Sequence, residues 1–122
     1  MKILAVDDSP TVLAFMRELF TDTGHEFQSA ESGDSALGIL RAGSYRPDLI
    51  LLDWEMPGKD GMETLKEIRS MQADLPVVMV TSCNSVAQIS EALQEGANEY
   101  VVKPFTAEIL LDKIAMVEAG EP

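Results

Sequence analysis

Pro47-Asp48-Leu49-Ile50-Leu51-Leu52-Asp53-Trp54-Glu55-Met56-Pro57-Gly58 is the stretch from which the fold can be read. Leu49 to Leu52 is an unbroken aliphatic run that ends on an acid, Asp53. A strand that is apolar on both faces needs cover on both faces, which is the condition of a strand inside a parallel sheet flanked by helices. Pro47 stands before the run, and the Pro57-Gly58 pair marks a loop, Trp54 to Lys59, after it.

The same alternation extends in both directions. Ile3 to Val6 is a short buried-strand candidate that runs into Asp7 and Asp8. Ser9 offers an N-cap and Pro10 suits the first helical position. Val12, Leu13, Met16, Leu19 and Phe20 then recur at helical spacing up to a stop at Gly24. Glu26 to Ala30 reads as a weak strand, and Gly33 to Ala42 as a helix ended by Gly43, with Ala36, Leu37 and Leu40 inward. Beyond the central run, Asp60 and Glu63 form a capping-box pair for a helix through Ser70. Pro76 to Val80 is another uniformly apolar strand. Val86, Ile89 and Leu93 mark a helix closed by Gly96, Tyr100 to Val102 is the last strand, and Thr106 to Val117 the last helix. The tail, Glu118 to Pro122, is expected to fray. The methionines Met16, Met62, Met79 and Met116 fall at core spacings. His25 is expected to be a solvated loop residue.

Five strands alternating with five helices imply an α/β fold, a doubly wound five-stranded parallel sheet of the (βα)5 type. Right-handed crossovers make 2-1-3-4-5 the natural strand order. The length of 122 residues suits a single domain spanning 1–122. Hydrophobic residues make up 46% and charged residues 25%, the mix of a folded chain. The formal net charge is -12, which argues against nucleic-acid or anionic-membrane partners. Cys83 is the only cysteine, so there is no internal disulfide and no thiolate metal cluster. The short, acidic start is unlike a signal peptide and no apolar run spans a bilayer, so the expected location is cytoplasmic.

In such a sheet, ligands bind outside the carboxyl ends of the strands, where strand order reverses. Asp7 and Asp8 end strand one, Asp53 ends strand three, Thr81 ends strand four and Lys103 ends strand five. Clustered carboxylates raise one another's pKa unless a counter-charge intervenes, and Mg²⁺ prefers a few carboxylates plus waters. A carboxylate is a feasible nucleophile toward phosphorus. Phosphoryl transfer mostly needs positioning and charge stabilisation, which Mg²⁺, Lys103 and Thr81 could supply.

Val6-Asp7-Asp8-Ser9, Leu52-Asp53-Trp54-Glu55-Met56-Pro57, Val80-Thr81-Ser82 and Tyr100-Val101-Val102-Lys103-Pro104-Phe105 together resemble the receiver domains of two-component response regulators. Among these the chain is similar to CheY-like, chemotaxis-type single-domain regulators, over essentially its whole length. Those regulators have the 2-1-3-4-5 order, so the resemblance implies the same topology. It also implies that Asp53 accepts a phosphoryl group from a histidine kinase. Asp8, Asp53 and the main-chain carbonyl of Glu55 are then expected to bind Mg²⁺, with Asp7 supporting the metal through water. Thr81 and Lys103 contact the phosphoryl oxygens, and Tyr100 is the aromatic switch that turns inward as Thr81 moves. The Lys103-Pro104 peptide is expected to be cis. Trp54 forms a partly exposed wall of the crevice, and Cys83 packs as a small side chain beside it.

Three other readings stand beside this one. A flavodoxin would place a Ser/Thr/Gly-rich phosphate loop where Asp7 and Asp8 stand. An aspartyl phosphatase would carry an acid two residues after its nucleophile, as Glu55 stands to Asp53, but would need a substrate pocket. A phosphorelay shuttle would pass its phosphate to a histidine phosphotransfer protein. The resemblance favours a switch that is not an enzyme with a separate substrate, is monomeric and acts in chemotaxis. Its protein target is expected to engage the face made by the fourth helix, fifth strand and fifth helix. That face is rich in acids, including Glu91, Glu95, Glu99, Glu108 and Asp112, with Lys113 as a basic residue.

Overall fold

The computed structural model describes residues 1–120. The strands are β1 (Lys2–Val6), β2 (Glu26–Ala30), β3 (Leu49–Leu52), β4 (Val77–Thr81) and β5 (Glu99–Val102). They alternate with helices α1 (Pro10–Phe20), α2 (Gly33–Ala42), α3 (Gly61–Met71), α4 (Val86–Gln94) and α5 (Ala107–Glu118). All strands pair in parallel, in the order β2-β1-β3-β4-β5.

The sheet divides the core in two. Leu4, Val6, Ile50, Leu52, Val77 and Met79 face α2, α3 and Ala92 of α4. Their strand neighbours Ile3, Ala5, Leu49, Leu51, Val78 and Val80 face α1 and α5. This alternation explains why Leu49 to Leu52 carries no polar residue: side chains on both faces are sealed. Each such aliphatic side chain contributes about 1.5–3 kcal/mol by leaving water.

The helix starts follow from their caps. Ser9, Ser32, Asp60, Ser85 and Thr106 each accept a backbone N–H of the first turn. The Asp60–Glu63 capping box forms in both directions. Some ends differ from the sequence reading. Helix α1 stops at Phe20, because Thr21 (ψ 135°) is already extended and Asp22 (φ 65°) is left-handed before Gly24 is reached. Glu118 is helical rather than frayed, Ala119 and Gly120 follow it exposed, and residues 121 and 122 of the expected tail lie outside the described residues.

Two side-chain placements also differ. His25 is half-buried, its ring set edge-on against Phe20 with centroids 5.9 Å apart. In α4 the helical period is real but faces the other way. Ala92 is the helix's buried residue, whereas Val86 is 84% and Leu93 46% exposed. Met16, Met62 and Met79 are buried, and Met116 only partly.

The loop after β3 is held by close backbone approach. The N–H of Gly61 donates to the carbonyl of Trp54 at 2.7 Å. A Cβ on Gly61 would collide with the Asp53 carbonyl and the Trp54 backbone, while one on Gly38, in α2, would meet nothing. Gly61→Ala is therefore expected to cost about 2 kcal/mol or more in urea unfolding. Gly38→Ala should instead be stabilising by about 0.5–1 kcal/mol. A Gly61→Ala protein as stable as the parent would contradict this packing.

Candidate functional site

Parallel strands end together, so β1, β3, β4 and β5 deliver their terminal residues to one edge. Asp7, Asp8 and Asp53 each offer a carboxylate oxygen within 4.8 Å of the others. Asp7 is 1% and Asp53 6% exposed, whereas Asp8 opens to solvent. Lys103 reaches across from the end of β5. Its Nζ donates to Asp7 Oδ2 at 2.7 Å and lies 3.3 Å from Asp53 Oδ2. The remaining oxygens take backbone donors: the N–H of Ser9 donates to Asp7 Oδ1 at 2.9 Å, and that of Trp54 to Asp53 Oδ1 at 2.7 Å. The Lys103-Pro104 peptide is cis.

Burial pushes the Asp53 carboxyl above its ordinary range and the neighbouring charge of Asp7 adds to this, against the opposing pull of Lys103 and Thr81. Burial alone would lower the Lys103 pKa. The hydrogen bond to Asp7 and the charges of Asp53 and Asp7 outweigh it and hold the ammonium charged. Three carboxylates against one ammonium leave two negative charges uncompensated, which a divalent cation would match. The donors are all hard oxygens, and Asp8 is exposed to solvent, so the set suits Mg²⁺.

Thr81 is fully buried at the end of β4. Its Oγ1 accepts the N–H of Cys83 at 3.3 Å. Tyr100, expected to turn inward only on activation, is half-buried here, and its hydroxyl donates to the Cys83 carbonyl at 2.7 Å. Burial pushes that hydroxyl's pKa up to about 12, with Cys83 and Asp53 adding to the shift. Burial likewise raises the pKa of Cys83, which stays a packed thiol. Trp54 is half-buried and lines an open cleft with Glu55, Met56, Ser82 and Cys83.

One feature escaped the sequence. Beyond its main-chain carbonyl and its place two residues after Asp53, Glu55 is engaged through its side chain in bonds to a distant loop. Glu55 Oε1 accepts Ser82 Oγ at 3.1 Å and Cys83 Sγ at 3.5 Å. No pattern in the sequence marks a bond between residues 27 and 28 positions apart.

Comparison with known proteins shows the family and the fold. Residues 3–115 match the family of the response regulator receiver domain. The chain is similar to chemotaxis protein CheY of Pseudomonas aeruginosa, 42% identical, with 96% of this chain and 95% of the relative covered. It superposes on the Thermotoga maritima response regulator TrrA, solved with Mg²⁺ and a beryllium fluoride, with TM-score 0.84 and 34% identity, covering 95% of this chain and 97% of that one. It also superposes on the CheX–CheY–BeF3–Mg²⁺ complex of Borrelia burgdorferi, with TM-score 0.91 and 25% identity over 96% and 88% of the two chains.

A folded Asp53 keeps its proton to higher pH than the unfolded chain does. The folded state therefore binds more protons in that window, and stability falls as pH rises through it, from 3.8 upward. Asp53→Asn removes the buried charge and is expected to raise stability at neutral pH, on the order of 1 kcal/mol. The gain should shrink as pH falls through the Asp53 titration. Urea unfolding of both proteins across this pH range checks it, and a pH-independent difference would contradict the electrostatic account. With the family match running over nearly the whole chain and the acids, threonine and lysine gathered at one sheet edge, the chain belongs to the response regulator receiver domain family.

Proposed function

We propose that the chain is a phosphorylation switch of a two-component system in which Asp53 takes a phosphoryl group from a histidine kinase. The observation that carries this reading is the convergence of Asp7, Asp8, Asp53 and Lys103 at one sheet edge, two positive charges short of balance. Mg²⁺ would be held by Asp8, Asp53 and the main-chain carbonyl of Glu55, with Asp7 supporting it. When bound it would supply charge for the phosphoryl oxygens.

The chain's own residues do the rest. The Asp53 carboxylate attacks phosphorus; the donor's phosphorus–nitrogen bond breaks as the new phosphorus–oxygen bond forms, and the imidazole leaves with its electron pair. Lys103 holds an ammonium beside Asp53 and meets the incoming anion. Thr81 offers a hydroxyl from the neighbouring strand end, and Tyr100 couples to it through Cys83. No separate substrate is involved.

The output is proposed to pass through α4, β5 and α5 to a protein target in chemotaxis or motility, as the chemotaxis relatives suggest. The relatives favour this over a phosphorelay shuttle. The exposed Val86 and Leu93, bordered by acids, suit a partner with an apolar or basic helix. Lys113 is less available than the sequence implied, because its Nζ pairs with Glu99 at 2.8 Å.

Mass spectrometry after acetyl phosphate treatment tests the reading. The parent protein should gain one phosphoryl group in Mg²⁺ and none in EDTA, and Asp53→Ala should gain none. Lys103→Ala should fold and bind Mg²⁺ yet respond weakly. Undiminished labelling of Asp53→Ala would overturn the assignment.

A further inference from the structure

Cys83 is bonded through all of its polar groups, and each bond goes to a residue of the site. Its N–H donates to Thr81 Oγ1 at 3.3 Å, its carbonyl accepts the Tyr100 hydroxyl at 2.7 Å, and its Sγ lies 3.5 Å from Glu55 Oε1. Glu55 also takes the hydroxyl of the adjacent Ser82 at 3.1 Å. The loop that carries the phosphoacceptor is thus tied by a side chain to the loop after β4, which carries the hydrogen-bond partner of Tyr100.

We propose that Glu55 is a positioning residue that controls the setting of Tyr100 through Ser82 and Cys83, a second link beside the one from Thr81. The inference rests on the phosphorylation reading and adds a route to it. The Glu55 side chain bonds Ser82 and Cys83 rather than Thr81 or Tyr100, so the bonded route from it to the ring runs through the tie. A phosphoryl group placed two residues away on Asp53 would bring up to two negative charges against the Glu55 carboxylate. Repulsion weakens the bonds to Ser82 and Cys83. The Cys83 carbonyl is then free to move, and Tyr100 moves with it. The tie is a two-state element of the kind that lets a local charge bias a distant rotamer.

A simple charge effect of Glu55 on the site is the rival explanation, and the variants separate the two. Glu55→Gln removes the charge but keeps an acceptor oxygen for Ser82 and Cys83. Glu55→Ala removes both. In the Ser82→Ala/Cys83→Ala background the tie is already gone, so Glu55→Ala has nothing further to cut.

The readout is the fluorine NMR signal of Tyr100 in protein labelled with 3-fluorotyrosine, assigned by Tyr100→Phe. It is recorded with Mg²⁺ alone and with Mg²⁺ plus beryllofluoride. Glu55→Ala should shift or broaden the Tyr100 signal without beryllofluoride, and Glu55→Gln should leave it near that of the parent. Adding Glu55→Ala to the Ser82→Ala/Cys83→Ala protein should produce no further change. The proposal is overturned if Glu55→Ala leaves the signal in place, if Glu55→Gln moves it as far as alanine does, or if the two sets of changes simply add. Labelling with acetyl phosphate on the same samples keeps the two readings apart. Loss of Asp53 specificity would strike the phosphorylation reading, whereas normal labelling with a Tyr100 signal indifferent to Glu55 would strike only the tie.

Discussion

Asp7 and Asp53 are buried side by side and share one ammonium, Lys103, held between them at 2.7 and 3.3 Å. The rest of the site is organised around this contact. Burial pushes the Asp53 carboxyl up and the charge of Asp7 adds to this, while Lys103 opposes both. The lysine compensates one charge, backbone N–H groups bond the other oxygens, and Asp8 stands at the solvent edge as a third carboxylate. What remains is a deficit of positive charge at the sheet edge. In the proposed function an incoming anion would therefore need a cation beside it.

The sheet is what makes the contact possible. Asp7 and Lys103 are 96 residues apart in sequence, and Asp53 and Lys103 are 50 apart. They meet because parallel strands of similar length end at one edge, and because sealed faces on both sides fix each strand's position. Changes that loosen Leu49 to Leu52 would therefore disturb the charges at their end. The short contacts of Gly61 have the same role for the loop beyond Asp53, setting where Trp54 and Glu55 stand.

Much of this was legible in the sequence. The aliphatic runs located the strands, and a strand's last residue must lie at the sheet edge whatever the loops do, so Asp7, Asp53, Thr81 and Lys103 could be placed together before any coordinates. What could not be read depended on which face an element turns, or on bonds between loops. The Val86–Ile89–Leu93 period is the same whether the stripe is buried or exposed. Only the packing of Ala92 against the core shows that it faces out. His25 has no periodicity to place it, and its ring is fixed by Phe20 across a turn. The Glu55 bonds to Ser82 and Cys83, and the bond from Tyr100 to Cys83, join residues distant in sequence.

The central claim is that the acidic edge is short of positive charge in the folded protein alone. The direct measurement is urea unfolding at neutral pH with and without millimolar Mg²⁺, on the parent and on Asp8→Asn. A cation that binds only the folded state must stabilise it by linkage. The account expects Mg²⁺ to raise the unfolding midpoint of the parent and to raise that of Asp8→Asn markedly less. A midpoint that Mg²⁺ leaves unmoved, or moves equally in both proteins, would contradict it.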